Sequence, residues 1–296
     1  MPTRHHTRPN FPLPAGAADC HLHVFGPFAQ FPLAAQRAYN VPEAPLAAHE
    51  ALKRAVGLER TVLVQPSGYG SDNRAMLDAL RQLGSRARGV AVVDPDVPES
   101  ELDAMHRLGV RALRLNLVSL RSRYSDPASL IGTFAARLAP RGWHLQVFGE
   151  NHLIAALEPA LTQSSVPVVV DHMGLPDSRH GLVQPGFRAL LRLLQTGRVW
   201  VKLAGADRVT RASGNLRDAL PFMRALVAAN PERLVWGSDW PNIGFHSGAA
   251  IGHDQVLPYR ELDAGELLNV FAEAVPEATV REKILAANPA RLYQFA

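Results

Sequence analysis

Cysteine is almost missing from this chain of 296 residues: Cys20 stands alone. That excludes an intrachain disulfide framework and any zinc site built on cysteine pairs, and a reducing cytoplasm is the compartment that fits. Long apolar runs are missing too. The longest are strand-sized, such as Val166-Pro-Val-Val-Val170, far short of the roughly 20 residues that cross a bilayer. Met1 to Pro14 is polar, carries four prolines and has no apolar stretch of the secretory kind, so no membrane or export segment is expected. Lysine is scarce, since 28 of the 31 basic residues are Arg. They are scattered among 27 acidic residues, with no basic run interleaved with aromatics. The net charge of +4 is therefore not read as a nucleic-acid footprint. A 47% hydrophobic composition with 20% charged residues describes a folded chain rather than a disordered one. The signatures of dinucleotide folds, P-loops and serine-hydrolase elbows are absent.

What is present is a recurring unit: a short β-branched run, polar loop residues, then an amphipathic stretch. Eight such runs occur, at Asp19–Phe25, Thr61–Gln65, Gly89–Val93, Val110–Leu117, Trp143–Phe148, Val166–Asp171, Val199–Leu203 and Leu234–Gly237. Their spacing leaves room for a helical crossover each time. Between them, Met76, Leu77, Leu80 and Leu83 form a stripe of helical period. Ala47–Val56, Glu99–Leu108, Leu130–Leu138, Leu153–Leu161, Gly186–Leu194 and Leu216–Ala229 read the same way. Eight alternating units predict an α/β protein, a (β/α)8 TIM barrel, as one domain over residues 17–296 behind an N-terminal tail of residues 1–16. Residues 262–295 read as helices closing the barrel, and the long first loop, Phe25 to Pro45, as a cover for a site.

In such a barrel, chemistry sits at the C-terminal ends of the strands. Strand 1 ends in Asp19-Cys20-His21-Leu22-His23. Alternation puts His21 and His23 on one face, where two imidazoles grip a metal or polarise a carbonyl. Cys20 is expected to point away from Asp19 and His21 and to serve packing. Strand 6 ends in Asp171-His172-Met173-Gly174, and strand 8 in Gly237-Ser238-Asp239-Trp240-Pro241. A capping Asp and a core His are the plain alternatives at both ends. In strand 4, Arg114 and Asn116 share a face, and an inward Arg needs an anionic partner, either a structural acid or a substrate carboxylate. Arg121 and Arg123 follow in the next loop, Arg208 follows strand 7, and surface placement is the plain alternative for each. His246, beyond strand 8, is a rim residue at most.

These segments, with Ile284-Leu-Ala-Ala-Asn-Pro-Ala-Arg-Leu-Tyr293, resemble the amidohydrolase superfamily. Val62-Leu-Val-Gln-Pro-Ser67, Tyr69-Gly-Ser-Asp-Asn73 and Arg88-Gly-Val-Ala-Val-Val-Asp-Pro95 resemble, more narrowly, its 2-pyrone-4,6-dicarboxylate lactonase branch. The resemblance runs from about Ala17 to Tyr293. It implies a barrel and hydrolysis. In metal-dependent members the His-x-His, a strand-4 Lys or Glu, His residues on strands 5 and 6 and the strand-8 Asp surround one or two divalent ions. Here strand 4 offers Arg114 and Asn116, and strand 5 offers Gln146 and Phe148. His21, His23, His172 and Asp239 remain, enough for one Zn²⁺ with an open position. The lactonase branch shares these losses and its pyrone-dicarboxylate members work without metal, so the resemblance favours a site with no cofactor, with one zinc ion as the alternative.

The reaction expected is hydrolysis of a carboxylated lactone. Asp239 takes a proton from water, His21, His23 and His172 donate hydrogen bonds or positive charge to the oxyanion, and Arg114, Arg121, Arg123 and Arg208 clamp substrate carboxylates. Gln146 is expected to orient the substrate. The partner is a small carboxylated lactone, with neither nucleic acid nor membrane; homo-oligomerisation is left open. The alternatives are a zinc-dependent hydrolase or decarboxylase on the same barrel, and a barrel that binds a small anion without turning it over.

Overall fold

The computed structural model describes residues 5–118, 126–245 and 255–296. Eight strands run in chain order around one parallel sheet: β1 (Ala18–Leu22), β2 (Arg60–Val64), β3 (Ala87–Ala91), β4 (Val110–Asn116), β5 (His144–Phe148), β6 (Val168–Val170), β7 (Val199–Leu203) and β8 (Leu234–Trp236). The last strand returns to the first beyond the regular ladder. Leu22 bridges Trp240, the amide of Asp239 donates to the carbonyl of His21 (2.9 Å), and the amide of His23 donates to the carbonyl of Trp240 (2.8 Å). The closed (β/α)8 barrel expected from the eight runs is the fold observed.

Helices α1 (Leu46–Val56), α2 (Arg74–Leu83), α3 (Glu99–Arg107), α4 (Pro127–Leu138), α5 (Asn151–Gln163) and α6 (Pro185–Gln195) form most of the outer ring. The short α7 (Ala206–Val209) precedes α8 (Leu220–Ala229), and α9 (Ala264–Ala274), α10 (Ala278–Glu282) and α11 (Asn288–Tyr293) complete the chain. The strands are buried on both faces, which is why they read as continuous apolar runs. One core packs strand residues such as Leu63, Leu113, Leu145 and Val201 against the helices. A second fills the barrel with Ala18, Cys20, Val62, Val64, Val90, Ala112, Val169 and Val235, plugged by Leu292, Tyr293 and Phe295 from the C-terminus.

The phase of β1 differs from simple alternation. Ala18 and Asp19 pair with Arg60 and Thr61, but Leu22 pairs with Leu63, so β1 holds one extra residue. Cys20 lies in the interior core and Leu22 in the helix-side core. The slip brings His21 inward as well, beside Lys202 and Asp171, so Cys20 does not point away from it. Burial pushes the Cys20 thiol far above its usual range, consistent with packing. Asp19 stays on the helix side, where it accepts from the Ser238 amide (2.9 Å) and hydroxyl and meets His49 (3.3 Å).

Candidate active site

Strand parity builds the site. Ala112, Arg114 and Asn116 follow one another on the inner face of β4, as do His144, Gln146 and Phe148 on β5. Val169 leads to Asp171 beyond β6, and Trp200 to Lys202 on β7. The polar residues nearest the strand ends form two tiers.

The lower tier is centred on the fully buried Asp171. Its Oδ2 accepts from Arg114 Nε (3.0 Å) and Gln146 Nε2 (2.9 Å). Its Oδ1 lies 3.3 Å from His21 Nδ1 and 3.6 Å from Lys202 Nζ. Lys202 Nζ donates to Gln146 Oε1 (2.7 Å) and lies 3.4 Å from His21 Nδ1. Burial opposes ionisation of Asp171, but the surrounding positive charge, with Lys202 and Arg114 in it, more than offsets that and holds the carboxyl well below its ordinary value. Burial lowers Lys202 to about 8, with Asp171 opposing. The inward Arg of β4 thus has a structural acid as its partner.

The upper tier converges on one oxygen. Asp239 Oδ1 lies 3.8 Å from His21 Nε2, 3.8 Å from His172 Nε2 and 4.0 Å from His23 Nε2, with no hydrogen-bond partner among the described residues. Its Oδ2 accepts from Arg208 Nε (2.7 Å) and Arg260 Nη2 (3.4 Å). Burial would raise the Asp239 pKa; the positive charge around it, Arg208 foremost and Arg260 with it, outweighs burial and keeps the group ionised. All three imidazoles are buried and neutral. Burial lowers His23 to about 4 and His172 to about 3, and holds His21 well below its ordinary value. Burial thus disfavours positive charge, one of the two roles expected of them at the oxyanion, and leaves hydrogen-bond donation as the other. His23 is further constrained, because its Nδ1 donates to the Val64 carbonyl (2.7 Å). Its Nε2 therefore carries a lone pair and accepts.

His172 (φ 52°) and Asp239 (φ 58°) both adopt left-handed backbone. Such strain persists where surrounding contacts over-determine it, and it clusters at functional sites. Gly205 makes room for His172: a Cβ there would stand 2.8 Å from His172 Nδ1.

Above the cluster opens a cleft of about 760 Å³, a usual size for a small-molecule site. His23, His172, Arg114 and Arg208 reach it from the strand ends, and Tyr39 comes from the first βα loop. Arg114 also stacks over Phe148 (5.0 Å). Gln146 does not line the cleft. It is fully buried with its amide engaged by Asp171 and Lys202, so it orients those residues rather than a ligand. Arg208 lines the cleft while its Nε holds Asp239. Arg121, Arg123 and His246 lie outside the described residues.

Sequence reasoning missed Lys202, Arg260, the latch role of Asp19 and the hub role of Asp171. A signal existed for Lys202, a lysine enclosed in the apolar Val199–Leu203 run of a chain with almost no lysine. Arg260 follows a long loop and carries no local signal.

The amidohydrolase family profile matches residues 18–295. A 2-pyrone-4,6-dicarboxylate hydrolase of Comamonas testosteroni is 35% identical over 296 residues, covering 97% of this chain and 93% of its own length. A 4-sulfomuconolactone hydrolase of Rhizobium radiobacter is 34% identical over 284 residues, covering 96% and 92%. A solved structure from Pseudomonas putida, described as a 2-pyrone-4,6-dicarboxylic acid hydrolase, superimposes with a TM-score of 0.77 at 36% identity, covering 96% of this chain and 99% of that one.

Proposed function

The chain belongs to the amidohydrolase family and is a hydrolase, and we propose that it opens a carboxylated lactone by adding water. The observation that carries this reading is the convergence of three imidazoles on Asp239 Oδ1, at the floor of a cleft lined by arginines. Relatives named as hydrolases of a pyrone dicarboxylate and of a sulfomuconolactone support a small anionic lactone as substrate.

A water molecule held against Asp239 Oδ1 attacks the lactone carbonyl carbon, and Asp239 takes its proton. The carbonyl π electrons move onto oxygen, which imidazole N–H groups stabilise. Collapse of the tetrahedral intermediate breaks the bond to the ring oxygen, and the proton on Asp239 passes to that leaving oxygen. An enol-type ring oxygen leaves readily, and the acid formed on Asp239, whose pKa is held below its ordinary value, gives up its proton easily. Arg114 and Arg208 face the substrate, each fixed through Nε to a buried carboxylate. A fixed guanidinium gives up little further entropy on pairing with a substrate carboxylate.

His21, His23 and Asp239 lie close enough to share one divalent ion, and so do His21, Asp171 and His172. A ligating histidine needs an acceptor for its other ring N–H. His23 has one in the Val64 carbonyl. His21 Nδ1 meets both the Asp171 carboxylate (3.3 Å) and the Lys202 ammonium (3.4 Å), and His172 Nδ1 has no acceptor among the described residues. We read the set as a poor fit to a resident metal, because His172 would ligate with its other ring nitrogen unpartnered.

The test is a panel of carboxylated, sulfonated and neutral lactones, assayed on protein purified without added metal, with and without chelator. Turnover of anionic lactones that chelation leaves unchanged is expected. Stoichiometric zinc lost together with activity would overturn the metal-free reading, and a panel with no turnover would overturn lactone hydrolysis.

A further inference from the structure

Lys202 has no exposed surface and takes no part in the chemistry above. Its ammonium donates to Gln146 Oε1 at 2.7 Å. A second N–H meets His21 Nδ1 at 3.4 Å, whereas Asp171 Oδ1 lies at 3.6 Å, outside hydrogen-bond range. An ammonium has donors and no acceptor, so a ring nitrogen that takes its N–H does so as an acceptor. A neutral His21 that accepts there carries its proton on Nε2, the atom that faces Asp239 Oδ1. His23 is the mirror case. Its Nδ1 faces a carbonyl, which only accepts, so its proton is on Nδ1 and its Nε2 is a lone pair.

We infer that Lys202 is a positioning residue that fixes His21 as its Nε2–H tautomer, so that the two imidazoles of the His-x-His act in opposite senses. His21 donates to the carbonyl oxygen as it becomes an oxyanion, and His23 accepts from the attacking water. The inference rests on the hydrolytic reading of this site for those two partners, though not for the tautomers themselves. It also accounts for the poor fit to a metal, because a protonated Nε2 has no lone pair to give an ion. Asp171, 3.3 Å from His21 Nδ1, is the competing partner. Were it to take the Nδ1 proton, His21 would lose its donor toward the cleft.

The test reads the tautomers directly. Two-bond proton–nitrogen correlation spectra are recorded on the full chain labelled with ¹⁵N-histidine, with His21 assigned through His21→Gln. Expected is a pyridine-type Nδ1 and pyrrole-type Nε2 for His21, with the reverse pattern for His23. In Lys202→Met, His21 is expected to switch to the Nδ1–H form, with kcat on the lactone found by the panel falling about 10²-fold, as for loss of one oxyanion donor, and KM little changed. A wild-type His21 protonated on Nδ1 overturns the proposal, as does a folded Lys202→Met protein with an unchanged His21 pattern. If that variant does not fold, the wild-type spectrum decides alone. The expected tautomers without lactone turnover would uphold the Lys202 assignment and remove the hydrolytic reading instead.

Discussion

Asp239 combines features that pull in different directions. It is buried, ionised and held by two guanidiniums through one oxygen, while the other oxygen faces three neutral imidazoles. A carboxylate so well stabilised is a weak base, so on the proposed reading its value lies in placement: the three imidazoles converge on its Oδ1. Asp239→Asn removes that acceptor and keeps the shape. Asn tolerates left-handed backbone as Asp does, so φ 58° is no obstacle to folding. The expected result is a kcat lower by about 10²- to 10⁴-fold, with an unchanged circular dichroism spectrum. KM for an anionic lactone should hold or fall, because Arg208 loses its internal counter-charge and turns to the ligand. Near wild-type turnover in steady-state assays would remove Asp239 as the base.

At the scale of elements, the site depends on how β8 returns to β1. A Cβ on Gly237 would stand 2.7 Å from the backbone nitrogen of His21, so this glycine is what lets the two strands close. Asp19 latches the same seam through Ser238 and His49. Gly237→Ala must push the seam apart, at a cost of about 1–3 kcal/mol typical of overpacking, and it moves His21 and Asp239 relative to each other. A lower melting temperature together with a loss of kcat is expected. Gly132→Ala is the control, because that position on α4 has nothing within 4 Å of a new Cβ, and Ala in an exposed helix is neutral to stabilising. Equal behaviour of the two variants in a thermal melt would remove the seam argument. This seam also marks where the sequence stops being legible. The Val-rich runs disclosed eight strands, and parity placed Arg114 and Asn116 on one face, because a buried parallel sheet imprints both features locally. The extra residue in β1 has no such imprint. The pairing of Arg114 with Asp171 joins residues 57 apart, and no period within either strand encodes which neighbour an inward charge will meet. The four residues at strand ends were readable as candidates because the strand end is a position. Lys202 carried only a signal of composition, a lysine within an apolar run, and it lies one layer below the strand ends, where position alone marks no candidate.

For the whole molecule, the mild basic excess resolves into structure. Arg137 and Arg141 of α4 and its following turn meet Glu99 and Asp103 of α3, Arg192 of α6 meets Glu158 of α5, and Arg217 ahead of α8 meets Glu266 and Glu273 of α9. Arginine thus ties neighbouring helices around the ring, each exposed pair adding little alone. The N-terminal residues belong to the same outer surface. Thr7 bonds Asp263 through its amide (3.0 Å) and hydroxyl, the Asn10 amide donates to Asn269 (2.7 Å), His6 accepts from the Ala264 amide (3.1 Å), and the Gly16 amide donates to Glu59 (2.9 Å). Phe11 and Leu13 pack on the helix-side core. Gly265 at the start of α9 allows this approach, because a Cβ there would meet the Thr7 carbonyl at 2.1 Å. Among the described residues, none before His23 lines the cleft. Removing residues 1–16 should therefore cost stability and leave the chemistry alone. The five hydrogen bonds at about 1 kcal/mol each suggest a loss of about 5 kcal/mol, or a melting temperature lower by about 10 °C. The kcat and KM on the lactone identified by the panel should stay within about twofold of wild type, which is about 0.4 kcal/mol in transition-state binding. A truncated chain that melts as the full one does would show the segment to be a dispensable tail. One that melts lower and also loses kcat would place the first sixteen residues in the support of the site.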